Sequence, residues 1–174
     1  EKQVTAMSLV SKADYLVSLK DGYTLGERFS SRDEFIKAFE NFFARQEILI
    51  NKKTKTSEKL VDIKPMISMV AFTDADYKEK LKETLSDQRK QQNDDRNYFL
   101  DAESVAEVYE NGLKVYLQVD TGSAANLKPE LVMEAFCNEN GITYNPYAWQ
   151  VHRIDLYTGD ERTGKLIPLD HLDR

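Results

Sequence analysis

The sequence predicts an α+β domain: an antiparallel or mixed sheet with two main helices packed on one face, in a ferredoxin-like arrangement, plus a charged helical insertion. Three observations predict it. Residues 113–120 alternate Leu113, Val115, Leu117 and Val119 with polar partners and then run through a small polar loop into a helical pattern. Residues 31–43 carry a helix-start signal followed by four phenylalanines at helical spacing. Between these units lie short strand-like runs, so the helices are separated by hairpins, and such a chain packs its helices against a sheet. Without the insertion, the element order is close to two βαβ halves around a hairpin.

Each element has its own warrant. Residues 4–12 are ambiguous between a short helix and an irregular lead-in, whereas residues 13–19 (ADYLVSL) read as a strand with Tyr15, Val17 and Leu19 on one face. Ser31 and Glu34 form a capping box. The stripe Phe35, Ile36, Phe39, Phe42 and Phe43 then demands a sheet to cover it, and core packing rather than a ligand box is the expected use. Residues 47–51 (EILIN) and 60–63 (LVDI) are expected to pair across the lysine-rich turn KKTKTSEK, with Lys64-Pro65 ending the second strand. Residues 66–72 are apolar without a clean period and read equally as a strand or a short buried helix.

From 73 to 101 the chain is almost wholly polar, and Tyr77, Leu81 and Leu85 form its only helical stripe. Residues 74–90 are therefore expected to be a solvated helix and QQNDDRN a mobile tip, together an insertion on the domain. Asn111-Gly112 sits between two strand-like runs and predicts a type I′ hairpin pairing 104–110 with 113–120. Pro129 suits a first helical turn, Leu131, Val132, Ala135 and Phe136 repeat at helical spacing, and Gly141 supplies the closing left-handed residue. Residues 149–157 (WQVHRIDLY) read as a strand, and LIPL as a short edge strand ended by Pro168.

The 174 residues suit one core, so residues 1–174 are taken as a single α+β domain carrying the insertion 73–101. The first residue is not Met, and the chain is expected to be a fragment of a longer protein. A net charge of −6 argues against a general grip on nucleic acid, though a local basic patch is compatible with it. The single cysteine, Cys137, fits a reducing cytoplasm, and no apolar run approaches the length of a membrane span. No motif for a metal, a cofactor or a nucleophile is present, so the reading leans away from an enzyme.

Three groups could carry function. The TGSAAN loop, with Ser123, Asn126 and Lys128, would point backbone amides and a helix start at an anion. A tight connection of small residues is the commoner use of such a turn, as neither a P-loop nor GxGxxG is present. Lys52, Lys53, Lys55, Lys59 and Lys64 could meet RNA or an acidic protein, although a solvated turn guarding a sheet edge is the commoner meaning. Asp62, His152, Arg153 and Asp155 could combine a general base with an anion contact if their strands were neighbours; a structural ion pair or an exposed histidine is the simpler account.

Three stretches resemble the radical SAM-linked proteins, a bacterial family of unknown function whose domain is DUF2344. EKLVDIKPMI (58–67) is similar to the family's valine-aspartate-isoleucine-arginine-proline-leucine segment, with Lys64 where arginine is usual. SAANLKPELVMEAF (123–136) is similar to its loop-helix motif and VHRIDLY (151–157) to its closing strand. The resemblance implies that the chain corresponds to the C-terminal part of that domain. It also implies a cobalamin-binding radical S-adenosylmethionine protein as partner. The chain has one cysteine and hence no three-cysteine cluster motif, so an accessory role is expected, presenting RNA or a ribosome-associated substrate to that partner. The other expectation is a small enzyme or binding protein that takes an anionic metabolite at the 123–128 loop.

Overall fold

The computed structural model describes residues 10–26, 28–86 and 109–169. The elements are β1 (Lys12–Leu19), α1 (Arg32–Phe43), β2 (Leu49–Lys53), β3 (Glu58–Asp62), β4 (Ile67–Ala71), α2 (Asp74–Thr84), β5 (Lys114–Asp120), α3 (Pro129–Glu139), β6 (Trp149–Gly159) and β7 (Leu166–Pro168). Short 3-10 turns at Lys64–Met66 and Pro146–Ala148 lead into β4 and β6. Five strands form one sheet in the order β4-β5-β1-β6-β7, and every pairing between them is antiparallel. Taken in chain order, β1-α1-β4-β5-α3-β6 with this strand order is the ferredoxin-like arrangement. The β2–β3 hairpin is a separate two-stranded sheet interposed between α1 and β4.

The two faces of the sheet differ in chemistry. On one, α1 and α3 cover Val17, Leu19, Val115, Leu117 and Val119. Phe35, Phe39 and Phe42 of α1 meet Phe136 of α3, with Phe39 stacked on Phe136 at a centroid distance of 4.7 Å. Fully burying each such ring contributes about 2–3 kcal/mol, which explains why three phenylalanines of one helix are spent on the core. On the other face, Leu16, Met69, Ala71, Tyr116 and Tyr157 pack against Tyr77, Leu81 and Leu85.

That second face corrects one expectation. Residues 74–84 are not a solvated helix: Tyr77, Leu81 and Leu85 are 2%, 1% and 0% exposed, and Leu85 bridges to Leu166 of β7. The three-residue stripe is buried because Leu16, Met69, Ala71, Tyr116 and Tyr157 of the sheet supply the rest of that cluster. The remaining faces of α2 stay charged, with Asp74–Lys78 and Asp76–Lys80 paired one turn apart at 2.7 and 3.1 Å. The rest of the predicted insertion, residues 87–101, lies outside the described residues.

Local signals hold with adjustments. Ser31 Oγ accepts from the Glu34 amide at 3.2 Å, but the Glu34 carboxylate reaches back to Ser30, one residue earlier than a reciprocal box requires. Helix α3 closes as a Schellman turn: Ile142 N–H donates to Cys137 O at 2.8 Å and Gly141 has φ +69°. The type I′ reading of Asn111-Gly112 is overturned. Only Gly112 has positive φ, and its amide donates to Tyr109 O, so Glu110 and Asn111 are the centre of the turn. Asp21 fixes that turn by accepting from the Glu110 and Asn111 amides. Both neighbours of β5 are already assigned, to β1 and β4, and residues 104–108 lie outside the described residues.

Candidate functional site

The hairpin is built from its base outward. Asp62 Oδ1 accepts from the Ile48 and Lys64 amides at 2.8 and 3.0 Å, tying the end of β3 to the start of β2. Lys64 turns inward: its ammonium donates to Phe43 O and sits 3.8 Å from the centre of the Phe43 ring. Both predicted site residues therefore serve as fastenings of the hairpin. Ile50 and Val61, opposite one another, pack on the core, and beyond them the hairpin residues are exposed.

Past that point four of the exposed residues are lysines, Lys52, Lys53, Lys55 and Lys59. Lys52 lies directly opposite Lys59, and Lys55 is at the tip; among the described residues none of the three has an ion-pair partner, whereas Lys53 reaches Glu58 at 3.7 Å. Like charges facing each other across a ladder repel, at a cost of up to about 1 kcal/mol, and an anion between them reverses the sign. Leu60 and Leu49 add 64% and 46% exposed apolar side chains to the same hairpin.

The 121–128 loop runs from β5 into α3. Ser123, Asn126 and Lys128 are exposed, and Leu127 plugs into the core. Leu127 N–H donates to Asp120 O and Thr121 Oγ1 donates to Asn126 Oδ1 at 2.9 Å, which sets the loop's shape. The amides of residues 122–126 meet no acceptor among the described residues. Gly122 is required: at φ +137° an added Cβ would lie 2.4 Å from Val10 O. The helix start has no side-chain cap, and Glu130 places a carboxylate in its first turn.

Of the remaining predicted residues, Arg153 is exposed on β6 opposite Tyr15 of β1. Tyr15 on β1, opposite Arg153, feels the Arg153 guanidinium and the Glu130 carboxylate, although burial is the larger influence and holds its phenol above the ordinary range. His152 leaves β6 on the opposite face, across from Leu16 of the α2 side, because adjacent strand residues alternate. Asp62 belongs to the other sheet. The structure thus does not gather Asp62, His152 and Arg153 into one constellation.

One group escaped the sequence reading. Asp14 is fully buried on β1, where its Oδ2 accepts from Tyr77 Oη at 2.5 Å and Tyr157 Oη at 2.7 Å. Among the described residues its Oδ1 and the nearby Gln118 Nε2 are buried without hydrogen-bond partners. Burial pushes the carboxyl up to about 6, against the two phenols and a weaker pull from Gln118. The available signal was a charged residue inside the apolar run ADYLVSL, which becomes significant once that strand is central and covered on both faces. Cys137 is buried, and its thiol is raised to about 11 by burial and by Glu134, which suits a core residue and not a nucleophile.

Residues 1–129 match the family described as an uncharacterized protein conserved in bacteria, DUF2344. The chain belongs to the DUF2344 family. The matched span takes in the hairpin and the 121–128 loop and stops short of β6. No curated protein and no solved structure matches this DUF2344 chain. Among its described residues no helix is long and apolar enough to cross a membrane, and no group of three His, Cys, Asp or Glu side chains could hold a metal ion.

Proposed function

We propose that this DUF2344 chain is a cytoplasmic recognition domain that presents an anionic substrate, RNA or a ribosome-associated protein, to a cobalamin-binding radical SAM enzyme. The observation that carries the reading is the Lys52–Lys59 opposition on an exposed hairpin, joined by Lys55, which has no ion-pair partner among the described residues. A domain of net charge −6 that gathers like charges at one exposed place gains from an anion there. The radical partner is supported by the resemblance of residues 58–67, 123–136 and 151–157, and with one cysteine the chain itself has no set of cluster ligands.

The test is binding of tRNA and rRNA fragments at two salt concentrations, alongside co-purification with the radical enzyme. Neutralising about three phosphates makes affinity fall roughly 20- to 40-fold between 50 and 200 mM salt. Lys52→Glu with Lys59→Glu should abolish that dependence. Absence of both RNA binding and co-purification would end the proposal.

A second reading has its own observation, the amides of residues 122–126, which meet no acceptor among the described residues, followed in the chain by exposed Lys128. In that reading the loop binds an anionic metabolite. Phosphate-dependent shifts of those amides, lost in Lys128→Glu and unchanged in Lys52→Glu, separate it from the first.

A further inference from the structure

A cleft of about 510 Å³ runs between β2 and α3. One wall is the edge of β2 that β3 leaves unpaired. Ile63 N–H donates to Ile48 O, and Thr54 N–H to Ser57 O, so residues 48, 50, 52 and 54 bond across the hairpin. By the alternation of an antiparallel ladder, the N–H and C=O groups of Leu49, Asn51 and Lys53 point the other way, toward the cleft that those residues line. The opposite wall is one stripe of α3: Leu131, Glu134, Ala135 and Asn138, spaced i, i+3, i+4 and i+7.

Such an edge is a template for an added strand, and this protein closes another one. On β4, Lys80 donates to Val70 O at 2.7 Å and Arg32 to Phe72 O at 3.0 Å, so side chains occupy carbonyls there. Nothing comparable covers the β2 edge among the described residues. The charge around it is also specific. Glu47 and Glu134 face the cleft without ion-pair partners among the described residues, while Glu139 is neutralised by Arg45 at 2.7 Å.

We propose that the β2 edge takes an extended, basic segment of a partner protein as an added strand seated between the hairpin and α3. Main-chain bonds to Leu49, Asn51 and Lys53 supply affinity; alternate apolar side chains meet Leu131 and Ala135, and Lys or Arg side chains meet Glu47 and Glu134. A nucleic acid is disfavoured here by the two carboxylates. A second copy of this chain is disfavoured because edge-to-edge pairing brings two lysine-bearing hairpins together. The inference concerns a different surface of the hairpin from the opposed lysines, and it stands or falls without RNA binding.

The probes are the acetylated, amidated heptapeptide Lys-Val-Arg-Val-Lys-Val-Arg and its counterpart with Glu at each basic position. Added to the whole chain, the basic peptide should protect the Leu49, Asn51 and Lys53 amides from exchange, and the acidic one should not. Glu47→Lys with Glu134→Lys should weaken the basic peptide at least tenfold while leaving the melting temperature within a few degrees. As a readout independent of any variant, N-methylation of the peptide at alternate residues should abolish binding for one parity only. The proposal is overturned if the basic peptide does not bind at millimolar concentration, if both N-methylated series bind alike, or if those amides are protected by self-association instead.

Discussion

Replacing Asp14 by Asn tests the physical account of the α2 face. In the folded chain this carboxyl titrates at about 6 against an ordinary 3.8, because burial outweighs the Tyr77 and Tyr157 hydroxyls that favour its ionised form. The folded state therefore binds the proton more tightly than the unfolded chain, and stability falls as pH rises between those two values. A difference of about 2 units at about 1.4 kcal/mol each amounts to about 3 kcal/mol, present in full below pH 3.8 and gone above 6. Between pH 8 and pH 4.5 the gain is about 2 kcal/mol. Urea unfolding followed through Trp149, buried on β6, would be run at both pH values on wild type and Asp14→Asn. The amide leaves donors unpaired and shifts stability at both, so the deciding quantity is the change in the difference between them. It should be about 2 kcal/mol, with the wild type gaining at the acid end. Parallel curves, agreeing within about 0.5 kcal/mol, would refute the assignment of a buried, proton-binding Asp14.

Tyr77→Phe removes one donor from the ionised carboxylate and should cost about 1.5–3 kcal/mol at pH 8, less at pH 4.5, by the same unfolding measurement. Phe39→Ala empties the centre of the ring cluster and should cost about 3–5 kcal/mol, lowering the melting temperature by roughly 10 °C. Gly122→Ala drives a Cβ against Val10 O and should lose about 1–3 kcal/mol in chemical denaturation, while Gly159→Ala, with open space around it, should change stability by less than about 0.5 kcal/mol.

What was legible in the sequence is what local periodicity encodes. The Phe35–Phe39–Phe42 stripe, the alternation of β5 and the Pro129 and Gly141 helix boundaries each depend on near neighbours, and together they give the α+β class and the ferredoxin-like order. The α2 stripe misled because Tyr77, Leu81 and Leu85 look too sparse for burial, and only the sheet's second face shows what they meet. Asn111-Gly112 misled because Asp21, 90 positions away, fixes a different turn around the same pair. The arrangement of the candidate residues was not legible: strand alternation sends His152 and Arg153 to opposite faces, and Asp62 is spent on the hairpin base.

The hairpin and the sheet divide the work of the molecule. In the sheet, the aromatic face and the Asp14 face commit their side chains to one another, and the exposed ends of those elements are largely paired. The hairpin follows the opposite rule: Lys52 opposes Lys59, Leu49 and Leu60 face water, and among the described residues nothing pairs the outer main-chain groups of β2. Those features weaken an isolated hairpin, and a two-stranded ribbon has little stability of its own to offset them. They are sustained by the anchoring at its base, where Asp62 and Lys64 fasten it to a core that tolerates the loss. A proposed anion at the opposed lysines, or a proposed strand on the open edge, would relieve these costs, so binding of either should stabilise the hairpin.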